Sequence, residues 1–162
     1  MVEKFKAQEK VVLNASVFLT SVLEDEPLDI RIPARVLLAD TFSGRCIAHI
    51  PDRFEDEVLG GLVEAITKGR PLTVTYDAVF ASLQRFMTVA VIHKRGIDWQ
   101  ASEVLEAALR WRVSYYDALY LVVAQKVGAT YWTADKKLFR FLQRQKFADL
   151  PKVSWIGNFM RP

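Results

Sequence analysis

The chain is poor in the residues that staple, wire or thread a protein: one cysteine, two histidines and seven glycines in 162 residues, and no long unbroken apolar run. The single cysteine, Cys46, excludes an internal disulfide framework and agrees with a reducing compartment. It reads as a small buried apolar residue. His49 and His93 are lone histidines, with no Cys or His at metal-ligand spacing, which argues against zinc and leaves both with structural roles. The glycines form no phosphate-binding fingerprint, and the absence of one after Leu13 argues against a nucleotide-binding doubly wound protein. Val11 to Leu23 and Ala118 to Ala124 are too short or too interrupted to span a bilayer. Met1 to Lys10 is charged and polar, unlike a signal peptide. These absences predict a soluble, cytoplasmic protein with no membrane contact.

What is present suffices for one core. At 51% apolar, a chain of this length fits a single domain without staples. Its net charge of +3 is mild and compatible with an anionic partner. Met1 to Glu9 reads as an N-terminal extension, and residues 10–162 as the domain. Within it, Lys10 to Leu13 reads as a first buried strand, followed by Asn14 as N-cap of a helix over Ala15 to Leu23. A second helix is expected from Pro33 or Ala34 to Thr41, with Pro33 in its first turn. Arg45 to Ile50 follows as a strand and Arg53 to Lys68 as a helix with an inward face of Val58, Leu59, Leu62, Val63 and Ile66. Gly60 and Gly61 inside that helix suggest the close approach of another backbone. Tyr76 to Arg85 reads as a helix, Met87 to Ile92 as a strand, Trp99 to Trp111 as a helix, and Lys152 to Ile156 as a last short strand. Strands alternating with helices predict an α/β fold, a parallel sheet of four to five strands with helices on both faces.

The most informative stretch is Val113 to Phe139. Ser114 and Asp117 form a capping box opening a helix that stops at Gly128; Ala129 to Thr133 is β-branched and aromatic, as a buried strand is; Asp135 then stands at the N-cap of Lys136 to Gln145. A parallel unit of this kind brings Asp117 and Asp135 to helix N-termini at the edge where open parallel sheets bind ligands. Each Asp, taken alone, is also a good cap that complements the helix dipole.

The wording around these acids is similar to a known family. Ser-Tyr-Tyr-Asp-Ala-Leu-Tyr, then Gly-Ala, then Thr-Ala-Asp-Lys-Lys-Leu resembles the C-terminal half of PIN-domain proteins, above all the VapC-type toxins, which are metal-dependent ribonucleases. The resemblance extends over Val11 to Ile156. It implies a single PIN-like domain and four acidic positions, which fall here on Asn14, Glu57, Asp117 and Asp135; the first departs from the family pattern, since VVLNAS stands where the family has Asp. It also implies Mg²⁺ or Mn²⁺ as cofactor, RNA as substrate cut by in-line water attack, a homodimer, and a cognate antitoxin protein that covers the acidic groove.

Hard cations of this kind take oxygen ligands, and Mg²⁺ keeps several waters while binding one or two carboxylates and phosphate oxygens. Without a cation the acids repel one another, so raised pKa values are expected. Asn14 caps a helix as well as Asp does but offers a neutral oxygen as a ligand. Losing one carboxylate beside a divalent ion removes a net of about 3 kcal/mol, on the order of a hundredfold in metal affinity. The chain therefore reads as an impaired nuclease, through natural degeneration or through an Asp-to-Asn replacement. The rival reading is a catalytically inactive PIN-like module that binds RNA or protein.

Ser16, Ser114 and Thr133 are placed to orient these side chains through hydroxyl groups, or to cap turns. Lys136, Lys137, Arg140 and Arg144 follow Asp135; Lys136, Arg140 and Arg144 share one helix face and suit phosphate contacts or a solvated surface. Arg110 and Arg112 are candidates for the same rim. Tyr115, Tyr116, Tyr120, Tyr131, Trp132, Trp111 and Trp155 read mostly as core or dimer-interface residues.

Overall fold

The computed structural model describes residues 8–159 and builds them around β1 (Glu9–Leu13), whose Val11, Val12 and Leu13 are buried. A strand apolar on both faces belongs in the middle of a parallel sheet. The sheet order is β3-β2-β1-β4-β5, with β2 Cys46–Pro51, β3 Val91–His93, β4 Thr130–Thr133 and β5 Val153–Trp155. Every neighbouring pair is parallel, and the register Val12↔His49 and Val12↔Tyr131 sets β1 between β2 and β4. Of the expected extension Met1 to Glu9, residues 1–7 lie outside the described residues, and Glu9 already pairs with Cys46.

The chain runs from β1 outward to β3 and then returns past β1 to β4 and β5. Right-handed crossovers put α1 (Ala15–Val22), α2 (Leu28–Phe42), α3 (Phe54–Thr67) and α4 (Tyr76–Val89) over one face. They put α5 (Ala101–Trp111), α6 (Tyr115–Val127) and α7 (Lys136–Gln145) over the other. The first layer closes on Phe18, Phe54, Phe86 and Phe42, whose rings meet at centroid distances of 5.2 to 6.4 Å. In the second, α6 packs on β1 and β2 with α5 against it, burying Leu119, Tyr120, Leu121 and Trp111. Among the described residues no helix is long and apolar enough to cross a membrane.

Three local expectations are corrected. Helix α2 starts at Leu28, so Pro33 sits inside it and not in its first turn; Pro27 is the N-cap residue, and its carbonyl accepts from Ile30 and Arg31. The apolar run Met87 to Ile92 is divided: Met87 to Val89 close α4, and the edge strand β3 extends only where β2 offers a partner, from Val91 to His93. Gly61 does mark a close approach, but to a side chain: a Cβ there would collide with Leu19 of α1, whereas Gly60 faces open space. The tail after β5 adds a short 3-10 turn, Ile156–Asn158.

Candidate functional site

A return to the far side of β1 creates a switch point between β1 and β4, and ligands of open α/β sheets bind beyond the carboxyl ends of strands at such a point. Four helices begin along that edge: α1 after β1, α3 after β2, α6 on its way back to β4, and α7 after β4. Asn14, Glu57, Asp117 and Asp135 stand in or next to their first turns, where the dipoles favour negative charge.

Asn14 is engaged at both ends of its amide. Its Oδ1 accepts from the Ser16 N–H at 2.9 Å, capping α1, and its Nδ2 donates to the Tyr131 hydroxyl at 3.0 Å. Ser16 in turn accepts from the Ala134 N–H through Oγ at 3.1 Å, tying α1 to the turn that presents Asp135. Asp135 caps α7 through Oδ1, which takes both the Lys137 and Leu138 amides at 2.9 Å, and its own N–H donates to Thr133 Oγ1 at 3.0 Å. Ser114 Oγ accepts from the Asp117 N–H at 3.1 Å, the N-cap half of the box read from the sequence, and donates to Asp117 Oδ2 at 2.7 Å, a side-chain bond in place of the box's second, backbone one. Each of the three hydroxyl residues thus holds a turn that carries an acid.

Glu57 is different in kind. The hydroxyl of the fully buried Tyr120 donates to Glu57 Oε2 at 3.2 Å, while Glu57 Oε1 is buried with no partner. Burial pushes its carboxyl up to about 7; Tyr120 and Arg53 oppose that push, and the Asp117 and Asp56 charges add to it. Asp117 is likewise raised, by burial and by Asp135, against the Ser114 hydrogen bond. The expected mutual repulsion is therefore present, with burial the larger cause. Tyr120 and Tyr131, which bond Glu57 and Asn14, lie 6.2 Å apart ring to ring, both fully buried.

Asp117 and Asp135 open into one cavity of about 290 Å³, shared with Arg112, Ser114, Lys137 and Phe141. Among the described residues no three His, Cys, Asp or Glu side chains converge as a metal cage. The arrangement instead pairs Asp117 with Asp135 in the open and leaves Glu57 Oε1 buried and unpaired. Two carboxylates lining one open cavity fit a Mg²⁺ ion that keeps its waters and takes phosphate oxygens, not an all-protein site.

Of the basic residues expected at the rim, Lys137 and Arg112 reach the cavity. Arg110 does not: it pairs with Asp149 at 2.8 Å and lies over the Trp111 ring. Lys136 packs over the Trp155 ring at 4.4 Å, and Arg140 and Arg144 are exposed along α7. The two histidines are lone only in sequence. The register of β2 on β3 brings His49 Nδ1 to 2.9 Å from His93 Nε2, and burial, more than the neighbouring charges, lowers His49 to about 4.

A second hollow of about 510 Å³ is not legible in the sequence. It is lined by Asp52, Arg53, Arg95, Trp99, Tyr115 and Tyr116, and adjoins the acids through the first turn of α6. The sequence places Tyr115 and Tyr116 in the core or at a dimer interface; Tyr116 is half exposed here. Only the aromatic pair beside Asp117 signals the hollow, because Arg53 and Arg95 arrive from distant turns.

No family model and no curated protein matches the chain. Solved structures do, among them these two. PAE2754 from Pyrobaculum aerophilum superposes with a TM-score of 0.59 at 19% identity, over 86% of this chain and 83% of that one. VapBC2 from Rickettsia felis, in a structure bound to a DNA fragment from their promoter, superposes with a TM-score of 0.52 at 12% identity, over 90% of this chain and 98% of that one. At such identities the likeness is one of fold. With the sheet order and the helix N-termini gathered at its switch point, these superpositions give the chain a PIN/VapC-like fold.

Proposed function

We propose that the chain is a metal-dependent endoribonuclease of the VapC kind, impaired by Asn14. The observation that carries this reading is the state of the acids: Glu57 keeps a buried oxygen without a partner, and Asp117 and Asp135 share one open cavity beside Arg112 and Lys137. A fold stabilised for its own sake pairs or exposes such groups; perturbed carboxyls gathered at a ligand edge are what a catalytic site needs.

Asp117 and Asp135 would hold Mg²⁺ or Mn²⁺ directly, and Glu57 and Asn14, the other two positions of the family pattern, would act on it through its bound waters. Such an ion, when bound, supplies positive charge for the scissile phosphate and lowers the pKa of a water. The chain's own groups supply the rest. Ser114 fixes Asp117, the α7 amides fix Asp135, and Tyr120 fixes Glu57, so the acids are held toward the edge. Glu57, at about 7, can take a proton at neutral pH. Arg112 and Lys137 offer charge to phosphates, with Lys136, Arg140 and Arg144 extending it along α7. The partners in this reading are a cognate antitoxin over the acidic groove, in keeping with the likeness to VapBC2, and a second copy of the chain.

A second reading, a PIN-like module that binds RNA or protein without cutting, is favoured by one observation: the Asn14 amide is engaged twice, as cap and as donor to Tyr131, like a residue the fold has absorbed. Cleavage of a structured RNA panel in Mn²⁺ separates the two. The Asn14→Asp chain is expected to cut, the parent to cut on the order of a hundredfold less or not at all, and an Asp117→Ala control to be silent. Silence from every version, with RNA binding indifferent to EDTA, would leave the module reading.

A further inference from the structure

The hollow beside the acids has the composition of a nucleotide seat. Arg53 lies over the Tyr116 ring, its guanidinium carbon 5.8 Å from the ring centroid, and Arg95 lies over Trp99 at 5.9 Å. Tyr115 meets Tyr116 edge to face, with centroids 5.8 Å apart. The turn that carries Arg95 and Trp99 is braced. The Arg95 N–H donates to Asp52 Oδ2 at 2.9 Å, the Asp52 N–H to the His93 carbonyl at 2.9 Å, and the Gly96 N–H to the Trp99 carbonyl at 2.8 Å. Gly96 takes a φ of 81° to close that loop, and the Trp99 indole N–H donates to the His93 carbonyl at 3.1 Å. Trp99 is almost wholly buried, so it offers a fixed floor, whereas Tyr116 and both arginines are exposed.

Two guanidiniums and the half-exposed Tyr116 around a volume of about 510 Å³, with the Asp52 carboxylate engaged by the Arg95 N–H, suit a group that is anionic at one end and flat at the other. Planar guanidiniums bind phosphate in bidentate fashion, and aromatic faces stack bases without regard to sequence. A base inside a duplex cannot enter such a hollow; an unpaired one can. Arg112 and Lys137 line the separate cavity into which Asp117 and Asp135 open. The acids therefore have cations in both neighbouring hollows, which gives a phosphodiester strand a path across them.

We infer that the hollow lined by Arg53, Arg95, Trp99 and Tyr116 seats one unpaired nucleotide of single-stranded RNA, its base on Tyr116 and its phosphate between the two guanidiniums. This rests on the ribonuclease reading for its substrate class and adds the feature that selects unpaired over paired segments.

The test reads binding without catalysis. Fluorescence anisotropy of a labelled single-stranded RNA octamer, in EDTA, is measured for the parent chain and for Tyr116→Ala, Arg95→Ala and Arg53→Ala. Tyr116→Phe serves as the conservative variant and Lys152→Ala as the charge control; Lys152 is exposed just before β5, at the end of the sheet opposite the acids. Tyr116→Ala and Arg95→Ala are expected to weaken binding about tenfold each, Tyr116→Phe to keep it, and Lys152→Ala to change it by less than about twofold. The same sequence as a duplex is expected to bind weakly and to ignore Tyr116. If the chain binds the octamer and Tyr116→Ala and Arg95→Ala behave as Lys152→Ala does, the seat is wrong while the nuclease reading stands. If the variants lose binding but no Asn14→Asp chain ever cuts, the seat stands and the nuclease reading falls. If the chain and its Asn14→Asp variant bind no single-stranded RNA, the seat is overturned.

Discussion

Glu57 and Asp149 each accept a hydrogen bond from a buried aromatic side chain, and the rest of their surroundings could hardly differ more. Asp149, between α7 and β5, takes the Trp111 indole N–H at 3.0 Å and the Arg110 guanidinium at 2.8 Å, while its carbonyl accepts from Gln125 at 2.8 Å. Glu57 has one phenol at 3.2 Å and an orphaned oxygen. The first arrangement uses charge to hold the C-terminal part to α5 and α6. The second leaves charge unanswered at the sheet edge. In the proposed reading, stability is given up at Glu57 because a bound ion supplies what the protein withholds.

The largest effect should come from removing the unanswered charge. Glu57 is raised from 4.5 to about 7, so the folded state holds its proton more tightly than the unfolded chain, and stability falls as pH rises through that window. Above it the full cost applies, roughly 2 kcal/mol once solvent screening at this partly buried site is allowed for. Glu57→Gln keeps an acceptor for Tyr120 without the charge, so urea unfolding should show a gain approaching that size at about pH 8 and almost none near pH 4.5. Equal gains at both would mean that the carboxylate is not strained. The His49–His93 pair slopes the opposite way: its stabilisation is present above about 6.5 and is lost as pH falls toward about 4, for parent and variant alike.

Breaking the satisfied acid should be the next largest. Asp149→Ala strands the buried Trp111 N–H and frees Arg110, a loss of about 1.5 kcal/mol, or a fall in Tm of roughly 3–6 °C. RNA binding and cleavage should not move, since Asp149 lies with Gly128 and Lys152 at the end of the sheet away from the acids. A variant that keeps its Tm but loses activity would reverse the contrast between the two acids.

What is legible in the sequence follows the same division. Asp117 and Asp135 can be read because capping is local: Ser114 with Asp117, and Asp135 with two amides following it, are patterns within three residues. The parallel sheet can be read because Val11, Val12 and Leu13 are apolar in succession, on both faces of β1. The nucleotide seat cannot, since Arg53, Arg95 and Tyr116 come from three separate turns and share no local period. The histidine pair escapes for the same reason, being created by the register of β2 on β3. Pro33 misleads because it stands inside α2, where a proline forgoes a backbone hydrogen bond, and not in the first turn that it favours, and Met87 to Val89 because an apolar run fits a buried helix end as well as a strand.

Smaller effects probe how α3 carries Glu57. Gly60 faces open space in a helix interior, so Gly60→Ala should add about 1 kcal/mol. At Gly61 the added methyl pushes Leu19 of α1, offsetting that gain. Thermal melts of the two variants should differ in sign or nearly so; equal gains would show that Leu19 moves aside freely.

The smallest effect on stability belongs to the residue with the largest proposed effect on chemistry. In Asn14→Asp the Ser16 N–H keeps its acceptor, so the α1 cap survives. The Tyr131 hydroxyl, which accepts from Asn14 Nδ2, turns and donates to the new carboxylate, so that bond survives too. What remains is one more negative charge near Asp117 and Asp135, whose fields already reach Tyr131. In EDTA at about pH 8 the substitution should therefore cost less than about 1 kcal/mol, by repulsion alone. Millimolar Mg²⁺ should reverse that loss and stabilise the Asn14→Asp chain more than the parent, because an ion that binds only the folded state adds stability in proportion to its affinity. Melting both chains across a Mg²⁺ series measures this without any RNA. Parallel curves would mean that the Asn14 position contributes nothing to metal binding, and that the amide seen between Ser16 and Tyr131 is there to hold α1 to β4.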